Sequence, residues 1–277
     1  MKRVIDQLIQ LQEFYYAQSE QDSLTPGEHL KTLDESIRDL MKNLPGEVAS
    51  LCQRLRKRYL VVIVPVVNGV CSACGVALPT SQTYKIETHE EIYQCPSCSR
   101  ILYSASGAPR QLKSVGPAGK PRSGIARFSN RFLMCPDMKA TTREEALSEL
   151  VHLMAREGLV ENPDGLLEAA IKRESIMTTA VNNGLAFPHV RGVEGGGLTF
   201  SLGVKTEGLE FEAPDGARTQ IIFFIVIPSA AGAFYLQLLS GLVEAFQDES
   251  ARSNLLASTT VDELWENLTR LTEKTIP

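Results

Sequence analysis

Two groups of residues stand out for the chemistry their side chains could do. Cys71-Ser-Ala-Cys74 and Cys95-Pro-Ser-Cys98 place four thiols in two C-x-x-C pairs, twenty residues apart. Zinc takes four soft thiolates in a tetrahedron, and each C-x-x-C turn presents two of them on one knuckle. The spacing therefore predicts one structural zinc per chain, held by Cys71, Cys74, Cys95 and Cys98. Hairpin strands between the pairs are expected to bring the knuckles together, with Gly75 supplying a left-handed residue. Four cysteines leave the metal no open position, which excludes a catalytic zinc. A pair of redox dithiols would need a thioredoxin-like βαβ context, which these flanks lack.

The second group surrounds His189, in Asn182-Asn183-Gly184-Leu185-Ala186-Phe187-Pro188-His189-Val190-Arg191. A glycine-led apolar run enters like a short strand, Pro188 stiffens the chain, and the imidazole is expected at the strand end. A rigid frame suits a nucleophile that must meet a phosphorus atom in line. With a reference pKa of about 6.5, imidazole offers a neutral nitrogen near neutral pH. Taken alone, these residues still favour a buried structural histidine over a phosphoryl acceptor. The acceptor reading requires an exposed ring with a cation in reach. His29, His89 and His152 read as surface or packing residues, Cys52 and Cys135 as packing thiols, and Asp215-Gly216 as a turn.

The elements that must position these groups follow from periodicity. Ile5, Leu8, Leu11 and Tyr15 make a helical stripe. Thr25-Pro26-Gly27-Glu28 offers an N-cap, a first-turn proline and a capping-box glutamate. Leu30, Leu33, Ile37, Leu40 and Leu44 then alternate spacings of three and four, a coiled-coil seam in miniature. Pro45-Gly46 interrupts it, and Val48, Leu51, Leu55 and Tyr59 suggest a third helix. About two heptads cannot stand alone, so these helices should pack on each other or on a partner. Further on, helices are expected over Thr141–Arg156, Pro163–Glu174, Phe234–Phe246 and Val261–Leu271, and buried strands over Leu198–Val204 and Thr219–Ile227. Helices alternating with buried strands argue for an α/β layer structure.

The chain has 277 residues and a formal charge of −5, and 43% of it is apolar, an ordinary composition with room for two modest domains. Its charge is uneven: residues 1–103 carry −1, 104–127 carry +5 and 128–277 carry −9. The middle stretch, rich in Gly, Pro, Ser and Ala, reads as a flexible basic linker. No window approaches eighteen apolar residues, so no membrane insertion is expected. The charged start MKRVIDQLIQ lacks a secretory pattern, and with paired cysteines points to a reducing cytoplasm. The division expected is a helical segment over 1–60, a C4 zinc ribbon over 61–103, the linker, and an α/β domain over 128–277.

The stretch VPVVNGVCSACGVALPTS…YQCPSCSRILY resembles the C4-type zinc ribbon that follows a helical hairpin in a family of bacterial coiled-coil proteins. The likeness covers about residues 25–103 and implies, weakly, nucleic-acid or protein binding. The segments TTREEALSELVHLMAREGLV, LLEAAIKRESIMTTAVNNGLAFPHVR and LEFEAPDGARTQIIFFIVIPSAAGAFYLQLLSGLVEAF resemble the enzyme IIA domain of the phosphoenolpyruvate-dependent phosphotransferase system, fructose/mannitol and nitrogen-regulatory type. That resemblance implies a three-layer α/β domain with a mixed sheet behind the helical hairpin and β ribbon. It implies that His189 accepts a phosphoryl group from a phosphorylated histidine carrier protein, and that Arg173 steadies the phosphate. It also implies a second histidine where this chain has Tyr235, which can donate a hydrogen bond but offers no cation. Ala180 and Asn182 stand where glycines are common, so the loop shape departs as well.

The leading expectation is thus a cytoplasmic phosphocarrier with a regulatory output, an apolar docking face around His189, and an unknown downstream protein target. The competing expectation is a phosphotransfer-deficient scaffold, or an adaptor using the zinc ribbon to bind protein or, weakly, nucleic acid.

Overall fold

The computed structural model describes residues 1–24, 31–67, 69–88, 91–104, 123–193, 196–228 and 231–276. The expected cap at Thr25–Glu28, Leu30, His29, His89 and most of the expected linker lie outside the described residues. The chain divides into two compact units, Met1–Gly107 and Ala108–Pro277.

In the first unit, α1 (Lys2–Leu24), α2 (Lys31–Asn43) and α3 (Gly46–Arg56) precede four short strands. Pro45, with extended backbone, sits at the N-cap of α3 and separates it from α2. The stripe Ile5, Leu8, Leu11 and Tyr15 is buried, and so are Leu44, Cys52 and Leu55. These side chains form one cluster with Ile63 and Ile101 from the strands, and Ile37 and Leu40 pack at its margin. The helical seam therefore finds its apolar partner within its own unit. Gln12 fastens α1 to the next segment: its Nε2 donates to Leu60 O at 3.1 Å and its Oε1 accepts from Val62 N at 2.7 Å.

The strands β1 (Ile63–Val67), β2 (Val70–Cys71), β3 (Tyr93–Gln94) and β4 (Ile101–Ser104) run in the order β2-β1-β4-β3. β1 and β4 pair in parallel, while β2 and β3 flank them antiparallel. Between the cysteine pairs lies α4 (Thr80–Thr88), where connecting hairpin strands were expected. Pro79 directly before α4 suits a helix start, and Ile86 is its one buried residue, so an apolar period barely shows. The knuckles meet because β1 and β4 lie side by side.

In the second unit, β5 (Met134–Cys135), α5 (Arg143–Arg156), α6 (Pro163–Glu174), β6 (Ala180–Val181), β7 (Leu185–Ala186), β8 (His189–Val193), β9 (Thr199–Leu209), β10 (Thr219–Pro228), α7 (Gly232–Phe246), α8 (Glu249–Leu256) and α9 (Val261–Thr272) build an α/β domain. The sheet runs β5-β9-β10-β7-β6, with β8 also paired to β10. It is mixed: β9 is antiparallel to β10, while β7 and β8 are parallel to it. Every side chain from Ile221 to Ile227 is buried. Successive strand residues point to opposite faces, so both faces of β10 are covered. Each large apolar side chain buried there contributes about 1.5–3 kcal/mol.

Local signals explain the helix ends. Thr142 caps α5 and Thr260 caps α9, each in a full capping box closed by Glu145 or Glu263. Asn162 caps α6, with Pro163 at its first position. β9 runs five residues beyond the expected Val204, and α8 was not anticipated. Among the described residues, no helix is long and apolar enough to cross a membrane.

Candidate functional site

His189 sits where two short strands meet β10. β7 ends at Ala186, Phe187 stacks on Phe223 with ring centroids 5.5 Å apart, and Phe187 N donates to Thr179 O at 3.1 Å. Pro188 then breaks the strand, its carbonyl accepting from Ile225 N at 2.8 Å. His189 opens β8 opposite Ile225, so it begins a strand where the sequence placed it at a strand end. The exposed ring expected from the sequence is not found: His189 is only 1% exposed. β10 is covered on both faces, and Tyr235 near the start of α7 lies against the imidazole, the two centroids 5.2 Å apart.

The hydrogen bonds of the imidazole set its tautomer. Nδ1 lies 3.0 Å from the carbonyl oxygen of Phe187, which can only accept. Nδ1 therefore carries the proton, and in the neutral ring Nε2 keeps the lone pair. Tyr235 Oη, 3.3 Å from Nδ1, takes a second share of the same N–H. His189 can thus act as a nucleophile through Nε2 alone.

Two arginines lie on the elements next to the imidazole, one on α6 and one on β8 itself. Arg173, 6% exposed, lies in the last turn of α6 and donates from Nη1 to Met177 O at 3.0 Å. α6 packs beside β8, the strand that begins with His189. The next residue, Glu174, is buried, and its carboxylate accepts from Thr179 N and Thr179 Oγ1, both at 2.8 Å. Burial pushes the Glu174 carboxyl above its ordinary value, against the opposing pull of the Thr179 donors and Arg173. Arg173 and Glu174 together tie down the 175–179 loop, which carries the carbonyl that receives Phe187 N. Arg191 is the residue that sequence reasoning did not single out. Its guanidinium carbon lies 4.5 Å from the centroid of the Tyr235 ring. The signal was present, because residues two apart on a strand share a face.

Other sequence-flagged residues fall into supporting places. His152 Nδ1 lies 2.7 Å from Ser148 O on the exposed side of α5. Asp215 accepts from Asn183 N at 2.8 Å and from Ala217 N at 3.0 Å, a turn between β9 and β10 as expected. Burial pushes the Cys52 thiol up to about 11 and Cys135 to about 12, so both remain protonated packing groups.

The four paired cysteines converge in the first unit. Their sulfurs all lie within 4.8 Å of one another, with Cys71–Cys98 at 3.9 Å and Cys74–Cys95 at 3.5 Å. A tetrahedron with zinc–sulfur bonds of about 2.3 Å has edges of about 3.8 Å, so these residues fit the metal. The knuckles are built alike. Gly75 N donates to Cys71 O at 2.9 Å and Ser99 N to Cys95 O at 2.8 Å. Gly75 adopts φ +75°, as expected, and Ser99 adopts φ +62°, a left-handed position held by a residue with a side chain. The Val76 N–H aimed at Cys74 draws that thiol down to about 6. When bound, the metal would be held by Cys71, Cys74, Cys95 and Cys98 and would cross-link two hairpins.

Comparison with known proteins finds a family match in each unit. The family described as "Phosphoenolpyruvate-dependent sugar phosphotransferase system, EIIA 2" matches residues 128–270, just over half of the chain. A C4-type zinc ribbon domain matches residues 70–102. The chain is 33% identical over 115 residues to the PTS system fructose-specific EIIA component of Haloferax volcanii, covering 42% of this chain and 75% of that protein. It is 30% identical over 124 residues to a nitrogen regulatory protein of Bradyrhizobium diazoefficiens, covering 44% and 80%. It is also 30% identical over 142 residues to the PTS system 2-O-alpha-mannosyl-D-glycerate-specific EIIABC component of Escherichia coli K12, covering 50% of this chain but 22% of that protein. With a domain match of that extent, the chain belongs to the EIIA 2 family of the phosphoenolpyruvate-dependent sugar phosphotransferase system, and it carries a C4-type zinc ribbon ahead of that domain.

Proposed function

We propose that the protein is a cytoplasmic phosphocarrier with a regulatory output, which accepts a phosphoryl group on Nε2 of His189 from a phosphorylated histidine carrier protein. One observation carries the reading: Phe187 O receives the Nδ1 proton and leaves Nε2 as the basic nitrogen. In the transfer, the Nε2 lone pair forms a bond to phosphorus as the donor's P–N bond breaks. The released electron pair returns to the donor's imidazole. The reaction needs alignment and charge stabilisation, which Arg173 at the end of α6 would provide, and no metal at the reacting centre. His189 is 1% exposed, so uncovering Nε2 is a required step before the donor can reach it. Tyr235 steadies the Nδ1 proton while Nε2 reacts.

One structural zinc per chain would hold the ribbon, and the ribbon with its packed helices would contact the downstream protein target. Adding about two negative charges at His189 would change how that target is engaged. Incubating the full chain with phosphoenolpyruvate, enzyme I and the histidine carrier should add the mass of one phosphoryl group. His189→Ala should abolish the gain, and an unmodified wild-type protein would refute the proposal.

The burial of His189 favours a second reading, a phosphotransfer-deficient adaptor. That adaptor would be recognised by target binding indifferent to His189→Ala. Its nucleic-acid version would show retention on DNA or RNA that falls steeply as salt rises.

A further inference from the structure

Tyr235 offers the site no cation of its own, yet a guanidinium rests on its ring. Three side chains form a graded stack. His189 and Tyr235 are each 1% exposed, with ring centroids 5.2 Å apart, and the Arg191 guanidinium carbon lies 4.5 Å from the Tyr235 centroid. Arg191 alone of the three reaches partial exposure. His189 and Arg191 stand two residues apart on β8, in register with Ile225 and Ile227 of β10. Their side chains therefore leave the strand on one face, with Cα atoms about 6.6 Å apart.

We propose that Arg191 is a phosphoryl-binding residue: its guanidinium, held over Tyr235, takes the oxygens of the incoming phosphoryl group and keeps them beside Nε2 of His189. The assignment rests on the phosphocarrier reading above and adds a residue to it. Arg173 is buried in the last turn of α6, whereas Arg191 is the more exposed of the two arginines. A guanidinium is a planar fork that pairs bidentately with phosphate oxygens. It is also weakly hydrated, so a ring face can hold it without a large desolvation cost. The tyrosine thus keeps a positive charge in place although it carries none. The stack orders the encounter: an anion meets the guanidinium first, and the imidazole only once the stack opens.

The test uses inorganic phosphate as the probe, on the zinc-loaded full chain. The His189 imidazole resonances, assigned by their loss in His189→Ala, are followed as phosphate is added. Wild-type protein should show a saturable shift. Arg191→Gln should weaken the apparent affinity at least tenfold, and Arg191→Lys, which keeps the charge but not the fork, should fall between. Equal phosphate response in wild type and Arg191→Gln would overturn the assignment, and so would a wild-type imidazole that ignores phosphate. The carrier assay, run on the same proteins, separates the two claims. Arg191-dependent phosphate binding without phosphoryl uptake would refute the carrier reading and leave Arg191 in place. Wild-type uptake rates in Arg191→Gln would remove Arg191 and leave the carrier reading standing.

Discussion

Tyr235 Oη lies 3.3 Å from Nδ1 of His189, on the proton that Nδ1 also shares with Phe187 O. The phenol therefore touches Nδ1 and not Nε2, the nitrogen proposed to react. In the proposed transfer it would hold the ring and support the positive charge that builds on it as Nε2 bonds to phosphorus. Phe187 O makes the shorter contact and sets the tautomer unaided, so loss of the phenol should slow the site without disabling it.

Tyr235→Phe keeps the ring that Arg191 rests on and removes only the oxygen. One neutral hydrogen bond is worth about 1 kcal/mol, so the initial rate of phosphoryl uptake should fall about three- to tenfold. The check is the uptake rate measured beside thermal unfolding, whose midpoint should fall by only about 2–4 °C. A loss as complete as that of His189→Ala would mean that the phenol, not Phe187 O, sets the tautomer.

Zinc should be bound at one equivalent per chain and lost in Cys71→Ser, because Cys71 is a buried member of the sulfur cluster. Cys135→Ser, a thiol bonded to Glu149 in the other unit, should keep the full equivalent. Metal analysis after dialysis reads both outcomes. Thiolate zinc sites contribute on the order of 10 kcal/mol to small domains, so the Cys71 variant should also expose residues 1–104 to proteolysis. A folded, protease-resistant ribbon free of metal would contradict this.

Acid sensitivity should trace to the helix caps. Glu145 Oε2 accepts from Thr141 Oγ1 and Thr141 N, both at 2.7 Å, and Glu263 Oε2 accepts from Thr259 N and Thr259 Oγ1, both at 2.9 Å. These donors hold both carboxyls below the ordinary glutamate value of 4.5. A depressed folded pKa contributes stability that is complete above 4.5 and disappears as pH falls through the folded value. Burial shifts Glu174 the other way, so its share is present at low pH and is lost as pH rises through its raised value. The midpoint of thermal unfolding of the second unit should therefore drop below pH 4.5, and Glu145→Gln with Glu263→Gln should flatten that drop. An unchanged acid limb in the double variant would exclude the caps as its cause.

What could be read in the chain itself was whatever short-range physics decides. The C-x-x-C spacing makes two knuckles wherever the rest of the chain lies, and Gly75 marks one turn of the pair. The apolar period over Thr141–Arg156 declares a helix, and the apolar run Ile221–Ile227 declares a strand covered on both sides, because both depend on neighbours a few residues away. α4 escaped because it buries only Ile86 and so carries almost no period. Ser99 escaped because a serine does not announce a left-handed backbone as glycine does.

Long-range contacts decided the rest. The parallel pairing of β1 with β4 unites knuckles that lie twenty residues apart in sequence. Tyr235 reaches His189 across 46 residues, and Arg191 comes to rest on that tyrosine through the fold rather than through any motif. The near-complete burial of the imidazole is of the same kind. It comes from α7 folding back onto β8 and β10, and local residue order holds no record of a cover supplied from elsewhere in the chain.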